Sequence, residues 1–334
     1  MTQALLPNFL LFCLIAGMAG SCDALELRKK FTTEKKGILA GVFSQYVVLP
    51  FLGAISLLLL PQDPVVMITL LVVCTSPGGG FSGWWCSLSN ADLALSVAMT
   101  SASTLACVVA LPFNVWMYAS LLTPGMHVKI AWNELFLSVI VVMCAVLVGS
   151  LTSYWLSQKA DASAHGVSAQ TVRQVMNTAG SAAGVCLMVF GGASNATSSD
   201  PLWENKPSWF LCVAAPCLLG LCSAILIAFR LDLSKPSSVA VAIECCYQNT
   251  GLALTIALSA VPPEMVGMAS GVPIFYGLVE IACVPTFALI AWRLGWTYAP
   301  ADENVCKVLS KNYQPAFAPD GSAPISRGDE PFQV

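Results

Sequence analysis

Charged side chains are scarce in this sequence of 334 residues. Lysine, arginine, aspartate and glutamate make up 10% of the chain, whereas a soluble domain carries about 25%. This shortage excludes an ordinary soluble globule. The 15 basic residues are outnumbered by 18 acidic ones, so the chain offers no positive field for the phosphates of a nucleic acid.

The groups on which most enzymes depend are also few. The two histidines, His127 and His165, fall between apolar runs, and the sequence has no Gly-x-Ser-x-Gly, HExxH or phosphate-binding motif. The 14 cysteines include no Cys-x-x-Cys pair, and most lie within apolar runs as small side chains rather than as a disulfide framework. The sequence therefore predicts that the protein is not an enzyme.

Apolar residues, by contrast, form 57% of the chain, and the mean hydropathy is +0.75. Because about 20 apolar residues cross a bilayer as a helix, the pattern predicts an all-α polytopic membrane protein embedded in lipid. The remaining segment, 295–334, is polar and rich in proline, and it predicts a disordered cytoplasmic tail. The nine expected spans are 4–24, 37–60, 64–89, 92–121, 131–157, 171–194, 207–230, 235–260 and 268–294.

Basic residues indicate the orientation of these spans. Thirteen lysines and arginines fall on the side that holds 25–36, and only Lys129 and Lys206 fall on the other. The positive-inside rule then places the amino end outside and the carboxyl end in the cytoplasm. The sequon at Asn195 lies on the outer side and supports this weakly. A cleaved signal peptide over the first span is an alternative, although the first residues carry no positive charge.

Two carboxylates, Glu244 and Glu280, lie well inside expected spans. A charge at this depth is costly and usually functional. No span contains a basic partner for Glu244, so its partner would be a proton or a cation. Alternatively, Glu244 is protonated and bonds a neighbouring helix. For Glu280 the sequence leaves three choices open: a bound proton, a bound substrate cation, or only a hydrogen bond to another helix.

Two spans contain residues that interrupt a helix. In the third span, 75–83 holds Pro77 followed by three glycines, which predicts a true break. In the eighth span, 247–250 adds polar side chains beside Glu244, as expected where an unwound helix coordinates a small cation. Breaks in two corresponding spans indicate a secondary transporter with inverted repeats, in which the first repeat lacks one helix.

Several segments, taken together and in order, resemble the bile acid:sodium symporter family over about 10–295. The matching segments are Pro77-Gly78-Gly79, Ser82, 95–100, 103–105, 44–50 and Glu244-x-x-x-Gln248-Asn249. The resemblance implies two broken helices that cross, a transmembrane transporter domain over 1–294, and two subdomains. The core would lie mainly in 37–121 and 207–294, and the panel mainly in 4–24 and 131–194.

The resemblance also implies two sites for co-transported sodium ions. The first would use Ser82, Ser96, Thr100 and Glu244, and the second would use Gln45, Glu244, Gln248 and the carbonyls of Cys245 and Tyr247. An organic anion would bind near Gly80, Phe81 and Asn249. One residue departs from the family pattern, because Gly83 stands where an asparagine is usual. The first sodium site would then lose an oxygen ligand.

The resulting hypothesis is sodium-coupled symport of an organic anion, either bile-acid-like, a sulfated steroid or a small carboxylate, by alternating access in the plasma membrane. Proton coupling, a single sodium site, and a receptor or sensor that does not transport remain alternatives. The sequence indicates neither the substrate nor the oligomeric state.

Overall fold

Helices account for every regular element in the part of the chain that the structure describes. The computed structural model describes residues 2–21, 31–122, 132–160, 169–198, 200–261, 265–311 and 313. The α-helices are α1 (Thr2–Ser21), α2 (Lys35–Phe43), α3 (Leu49–Leu59), α4 (Pro64–Cys74), α5 (Ser82–Leu88), α6 (Leu93–Leu122), α7 (Trp132–Ala160), α8 (Ala169–Ala196), α9 (Pro207–Arg230), α10 (Lys235–Cys246), α11 (Thr250–Ala260), α12 (Val266–Arg293) and α13 (Val305–Ser310). A π-helical turn, Ser44–Val48, joins α2 to α3, and a 3₁₀ turn, Leu202–Glu204, precedes α9.

Six stretches of helix among the described residues are long and apolar enough to cross a membrane. They are Lys35–Leu59, Leu93–Leu122, Asn133–Leu156, Thr171–Ala196, Pro207–Arg230 and Val266–Arg293. Three further apolar helices are shorter, namely Leu5–Ser21, Pro64–Cys74 and Thr250–Ser259. The chain is thus an all-α, multi-pass membrane protein, as the composition predicts.

Helix α1 packs mainly against α7 and α8. Small residues permit this contact: a Cβ added to Gly17 would lie 2.7 Å from the Cα of Gly180, and one added to Gly149 would lie 2.8 Å from the amide nitrogen of Gly20. Membrane helices commonly use such residues to bring their backbones together. The first, fifth and sixth expected spans therefore contact one another.

The third and eighth expected spans are both interrupted. Helix α4 ends at Cys74 and α5 begins at Ser82, so 75–81 is not helical. Helix α10 ends at Cys246 and α11 begins at Thr250, after the side-chain oxygen of Asn249 accepts a 2.9 Å hydrogen bond from the amide of Leu252. The breaks coincide with the proline–glycine run and with the polar residues from which they were predicted.

The prediction of a disordered tail is wrong for residues 295–311 and 313. Here the segment packs on the end of α12, and Asn90 holds it through three hydrogen bonds. The carbonyl of Asn90 accepts from the amide of Tyr298 (2.9 Å), and its side chain bonds the carbonyl of Val308 (2.9 Å) and the amide of Tyr313 (2.8 Å). The prolines behind the prediction, from Pro315 onward, lie outside the described residues.

The sequon at Asn195 gives no support to the proposed orientation. Asn195 lies in the last turn of α8, and the residue is 3% exposed. Its amide nitrogen donates to the carbonyl of Gly267 (2.8 Å), and its side-chain oxygen accepts from the amide of Leu202 (2.9 Å). An amide nitrogen buried in this way is not accessible for glycosylation.

Candidate functional site

Helices α6 and α10 are fixed side by side at their amino ends. Asp92 accepts one hydrogen bond from the amide of Leu95 (3.0 Å), which caps α6, and a second from the hydroxyl of Ser237 on α10 (3.1 Å). The amide of Asp92 also donates to the carbonyl of Pro236 (3.2 Å). This anchor sets the register in which residues one and two turns into α6 face the later turns of α10.

In that register, the side chain of Glu244 on α10 contacts α6. The Glu244 side chain is completely buried, and its carboxylate accepts hydrogen bonds from the hydroxyls of Ser96 (3.0 Å to Oε2) and Thr100 (2.6 Å to Oε1). Ser82, the first residue of α5, has its Oγ 3.3 Å from Thr100 Oγ1. The four residues predicted for the first sodium site therefore lie together, although they come from three helices.

No basic side chain among the described residues pairs with Glu244. Its neighbours are neutral hydroxyl and amide groups. A buried carboxylate without a fixed positive partner requires a proton or a cation, because an uncompensated charge in a low-dielectric interior is very costly. The arrangement therefore favours binding of a small, mobile cation.

The residues predicted for the second sodium site form a group next to the first. Gln45 lies in the π-helical turn, and its Nε2 donates to the backbone carbonyl of Glu244 (3.0 Å). Gln248 Nε2 donates to the carbonyl of Cys245 (2.7 Å). The carbonyl of Tyr247 accepts from the amide of Gly79 (2.7 Å), so one of its two lone pairs is already used.

Two oxygen atoms of this second group lack partners. The side-chain oxygens of Gln45 and Gln248 are buried, and neither has a hydrogen bond to the described part of the protein. Leaving a buried acceptor unsatisfied costs about 1–3 kcal/mol. Sodium is a hard cation that prefers oxygen ligands, so these two amides suit it chemically.

The two breaks touch and bond each other. The amide of Gly79 donates to the carbonyl of Tyr247 (2.7 Å), and the amide of Asn249 donates to the carbonyl of Pro77 (2.9 Å). Gly78 and Gln248 thereby form an antiparallel β-bridge. Each break thus satisfies backbone groups that unwinding exposes in the other, which a membrane interior requires.

The residues predicted for substrate binding face α1 and α8. A Cβ added to Gly80 would overlap the sulfur of Met18 on α1, and the Phe81 ring lies 3.5 Å from where a Cβ of Gly184 on α8 would be. Asn249 is buried, and its side-chain oxygen caps α11, as described above. Gly80 and Phe81 therefore lie between the crossing and the α1–α8 pair, whereas the Asn249 oxygen is already engaged.

Glu280 has a position that the sequence did not resolve. Its side chain is fully buried on α12, and Oε1 accepts a 2.6 Å hydrogen bond from the amide of Gln248. Its Oε2 is buried and has no hydrogen-bond partner in the described part of the protein, so the contacts show a bond to a neighbouring segment and leave the choice between a proton and a cation open. The segment is the second break itself, which Glu280 holds in its unwound form.

Ser103 and Tyr46 also support the site, although neither was predicted from the sequence to be a site residue. Ser103 Oγ accepts from the amide of Gly78 (3.3 Å), and its carbonyl accepts from the Tyr46 hydroxyl (2.6 Å). Ser103 follows Ser96 and Thr100 at helical spacing, so the shared face was a usable signal. The π-helical turn has a local cause, because Pro50 cannot donate to the Tyr46 carbonyl, which accepts instead from Asn114 (3.2 Å).

Comparison with known proteins decides the family. The model of the sodium bile acid symporter family matches residues 8–199, more than half of the chain. This chain belongs to the sodium bile acid symporter family. The family resemblance seen in the sequence motifs is therefore confirmed, and the chain is a member of a transporter family rather than an enzyme family.

Several individual relatives match two thirds or more of this chain. The human ileal sodium/bile acid cotransporter is 24% identical over 78% of this chain and 72% of its own length. The uncharacterized sodium-dependent transporter YocS of Bacillus subtilis (strain 168) is 28% identical over 67% of each chain. The human sodium-dependent organic anion transporter is 21% identical over 80% of this chain and 68% of its own. At the level of the family, these names support sodium-dependent transport.

Proposed function

We propose that this protein is a sodium-coupled symporter of an organic anion that works by alternating access. The observation that carries the proposal is Glu244, a fully buried carboxylate that meets only neutral hydroxyl and amide groups where the two breaks cross. The printed names of the relatives, which include sodium/bile acid and sodium-dependent organic anion transporters, support the same coupling ion.

Two sodium ions share Glu244 in this proposal. The first takes the oxygens of Ser82, Ser96, Thr100 and the carboxylate, which already lie within hydrogen-bond distance of one another. The second takes the carboxylate, the unsatisfied oxygens of Gln45 and Gln248, and the carbonyls of Cys245 and Tyr247. A sodium ion in either site supplies the positive charge that Glu244 lacks.

The substrate site lies beside the crossing, near Gly80, Phe81 and Asn249. An anion here would lie near the amino ends of α5 and α11, where free backbone amides favour negative charge. Gly80 and Phe81 lie against α1 and α8, so the anion would lie where the two proposed subdomains meet. It would be bile-acid-like, a sulfated steroid or a small carboxylate.

The proposed motion is that of a core against a panel in a nine-crossing fold with inverted repeats. The core holds mainly 37–121 and 207–294, and the panel holds mainly 4–24 and 131–194. The mutual packing of α1, α7 and α8 supports this grouping of the panel. The amino end would lie outside the plasma membrane and the carboxyl end in the cytoplasm, as the thirteen basic residues on one side favour.

Two sodium ions and one monoanion would carry a net charge of +1 inward. A membrane potential of 100 mV adds about 2.3 kcal/mol to this movement, in addition to the sodium gradient. We therefore expect uptake to rise when the vesicle interior is made negative.

Uptake into proteoliposomes tests the function. The purified chain is reconstituted and given labelled taurocholate, estrone sulfate or pyruvate with an inward gradient of sodium, of potassium or of protons. We expect accumulation above equilibrium of at least one anion with the sodium gradient only. Accumulation with the proton gradient alone would establish proton coupling instead. Saturable binding of an anion without accumulation under any gradient would establish a receptor.

Replacing Gly83 with asparagine tests whether the first sodium site lacks a ligand. The position has room, because a Cβ there would come no closer than 3.7 Å to Leu93 and 3.8 Å to Val97. We expect Gly83→Asn to raise the Hill coefficient for sodium in the uptake assay. Gly83→Ala adds the same Cβ without an oxygen and serves as the control. Equal coefficients in all three proteins would show that the first site does not depend on this position.

A further inference from the structure

Three cysteine sulfurs meet behind the second break. Cys217 lies on α9, Cys246 is the last residue of α10, and Cys283 lies on α12. The distances between sulfurs are 3.3 Å from Cys217 to Cys246, 3.4 Å from Cys246 to Cys283, and 3.7 Å from Cys217 to Cys283. The three are far apart in the sequence, so their spacing gives no metal-site motif, and only the packing of three helices brings them together.

The cluster lies mostly in the interior, next to the second break. Cys217 and Cys246 are fully buried, and Cys283 is partly exposed. One turn before Cys283 on the same helix, Glu280 bonds the amide of Gln248. The cluster therefore adjoins the segment that carries the proposed second sodium site, through Cys246 in the chain and through Glu280 on the helix that holds Cys283.

The spacing of the sulfurs matches that of three ligands around one metal ion. With zinc–sulfur bonds of about 2.3 Å at tetrahedral angles, neighbouring sulfurs lie about 3.8 Å apart. The observed separations of 3.3–3.7 Å need to widen by only a few tenths of an ångström. Three sulfur ligands select soft cations, and they do not suit sodium, which prefers oxygen.

Charge balance favours a divalent ion. Cysteine binds a metal as the thiolate, so a divalent cation held by all three sulfurs releases three protons to solution and leaves a centre with a net charge of −1. A monovalent cation would leave a net charge of −2, which costs more to bury in the membrane interior. We propose that Cys217, Cys246 and Cys283 bind a thiophilic divalent cation of the Zn²⁺ and Cd²⁺ class.

A cation at this site would connect α9, α10 and α12 next to the break. If the break must adjust as substrate and sodium bind and leave, a bound ion would slow the cycle. The expected effect of the metal ion on transport rests on the proposed transport function, whereas the binding site itself does not. Binding and uptake are therefore measured separately.

Metal binding is measured on the purified full-length chain in detergent with a reductant that does not bind metal. Cd²⁺ is titrated while the ultraviolet band from sulfur to cadmium is recorded. We expect a site that Cys283→Ser and Cys246→Ser weaken at least tenfold. Cys222→Ser is the matched control, because Cys222 lies on α9 with Cys217 but is exposed outside the cluster. It is expected to bind Cd²⁺ like the wild type.

X-ray absorption of the wild-type chain loaded with one equivalent of Zn²⁺ gives a test that needs no variant. Three sulfur neighbours at about 2.3 Å are expected. Fewer than three sulfurs, or equal Cd²⁺ affinity in wild type and Cys283→Ser, would overturn the site. Thermal unfolding of each variant identifies any that fails to fold, in which case the absorption result decides.

Uptake in proteoliposomes tests the effect on transport. Cd²⁺ is expected to lower sodium-driven uptake by the wild type and by Cys222→Ser at least tenfold, and to leave Cys283→Ser uninhibited. Binding without inhibition would overturn the effect on transport and leave the site standing. A chain that takes up no anion would contradict the proposed function, while the Cd²⁺ and Zn²⁺ results would still decide the site.

Discussion

Replacing Glu244 with glutamine is expected to abolish sodium-driven uptake. Glutamine keeps the size of the side chain. Its oxygen can accept from one of the Ser96 and Thr100 hydroxyls and its amide nitrogen can donate to the other, so the change removes little besides the charge. Removing one partner of a buried charge pair costs about 3–5 kcal/mol, which corresponds to roughly 10²- to 10⁴-fold weaker sodium binding. Initial uptake rates over a range of sodium concentrations measure the loss.

Glu204→Gln is the matched control for this experiment. Glu204 lies in an exposed 3₁₀ turn before α9, far in sequence from both breaks, and is expected to transport at the wild-type rate. Sodium-dependent uptake that persists unchanged in Glu244→Gln would contradict the shared role of this carboxylate. Uptake that persists but no longer depends on sodium would show that the charge sets the coupling and not the passage of the anion.

Gly78→Ala is expected to inactivate the transporter while adding a single methyl group. A Cβ at Gly78 would overlap the Oε1 of Glu244 and lie 2.8 Å from the Nε2 of Gln45. The carboxylate would have to turn away from Thr100, and overpacking of this kind costs about 1–3 kcal/mol. We expect at least a tenfold loss of uptake. We also expect sodium to raise the melting temperature of the wild type, since it would bind only the folded chain, and not to raise that of Gly78→Ala.

Gly83→Ala separates this local effect from a general intolerance of alanine in the third span. Its Cβ would meet only ordinary contacts, with Leu93 at 3.7 Å the nearest. It is expected to retain uptake and stabilisation by sodium. If Gly78→Ala also retains both, the close approach of the first break to Glu244 is not required for the cycle.

Local sequence patterns predicted much of this site. Pro77 and the glycines after it disfavour a helix, which made the first break predictable. The polar side chains from Tyr247 to Thr250 are not expected in a continuous membrane-spanning helix, which made the second break predictable. Ser96 and Thr100 share a helix face by their spacing. The grouping of these residues around Glu244 came from resemblance to a family, since spacing alone also allowed simple packing between helices.

The features that the sequence did not predict depend on contacts between distant segments. Glu280 bonds the amide of Gln248 in the second break, and Asn90 holds the segment that ends at Tyr313. The cluster of three cysteines has the same origin. Composition describes a segment by itself, so a polar tail looks disordered until the donors and acceptors that it meets elsewhere are known.

The paired hydrogen bonds between the breaks have a mechanical consequence. If either segment straightened into a helix, it would leave amides and carbonyls of the other without their present partners. Neither segment can therefore rearrange alone, and any adjustment of one involves the other. In a transport cycle, the two breaks would adjust as a pair, so one movement would change both proposed ion sites at the same time.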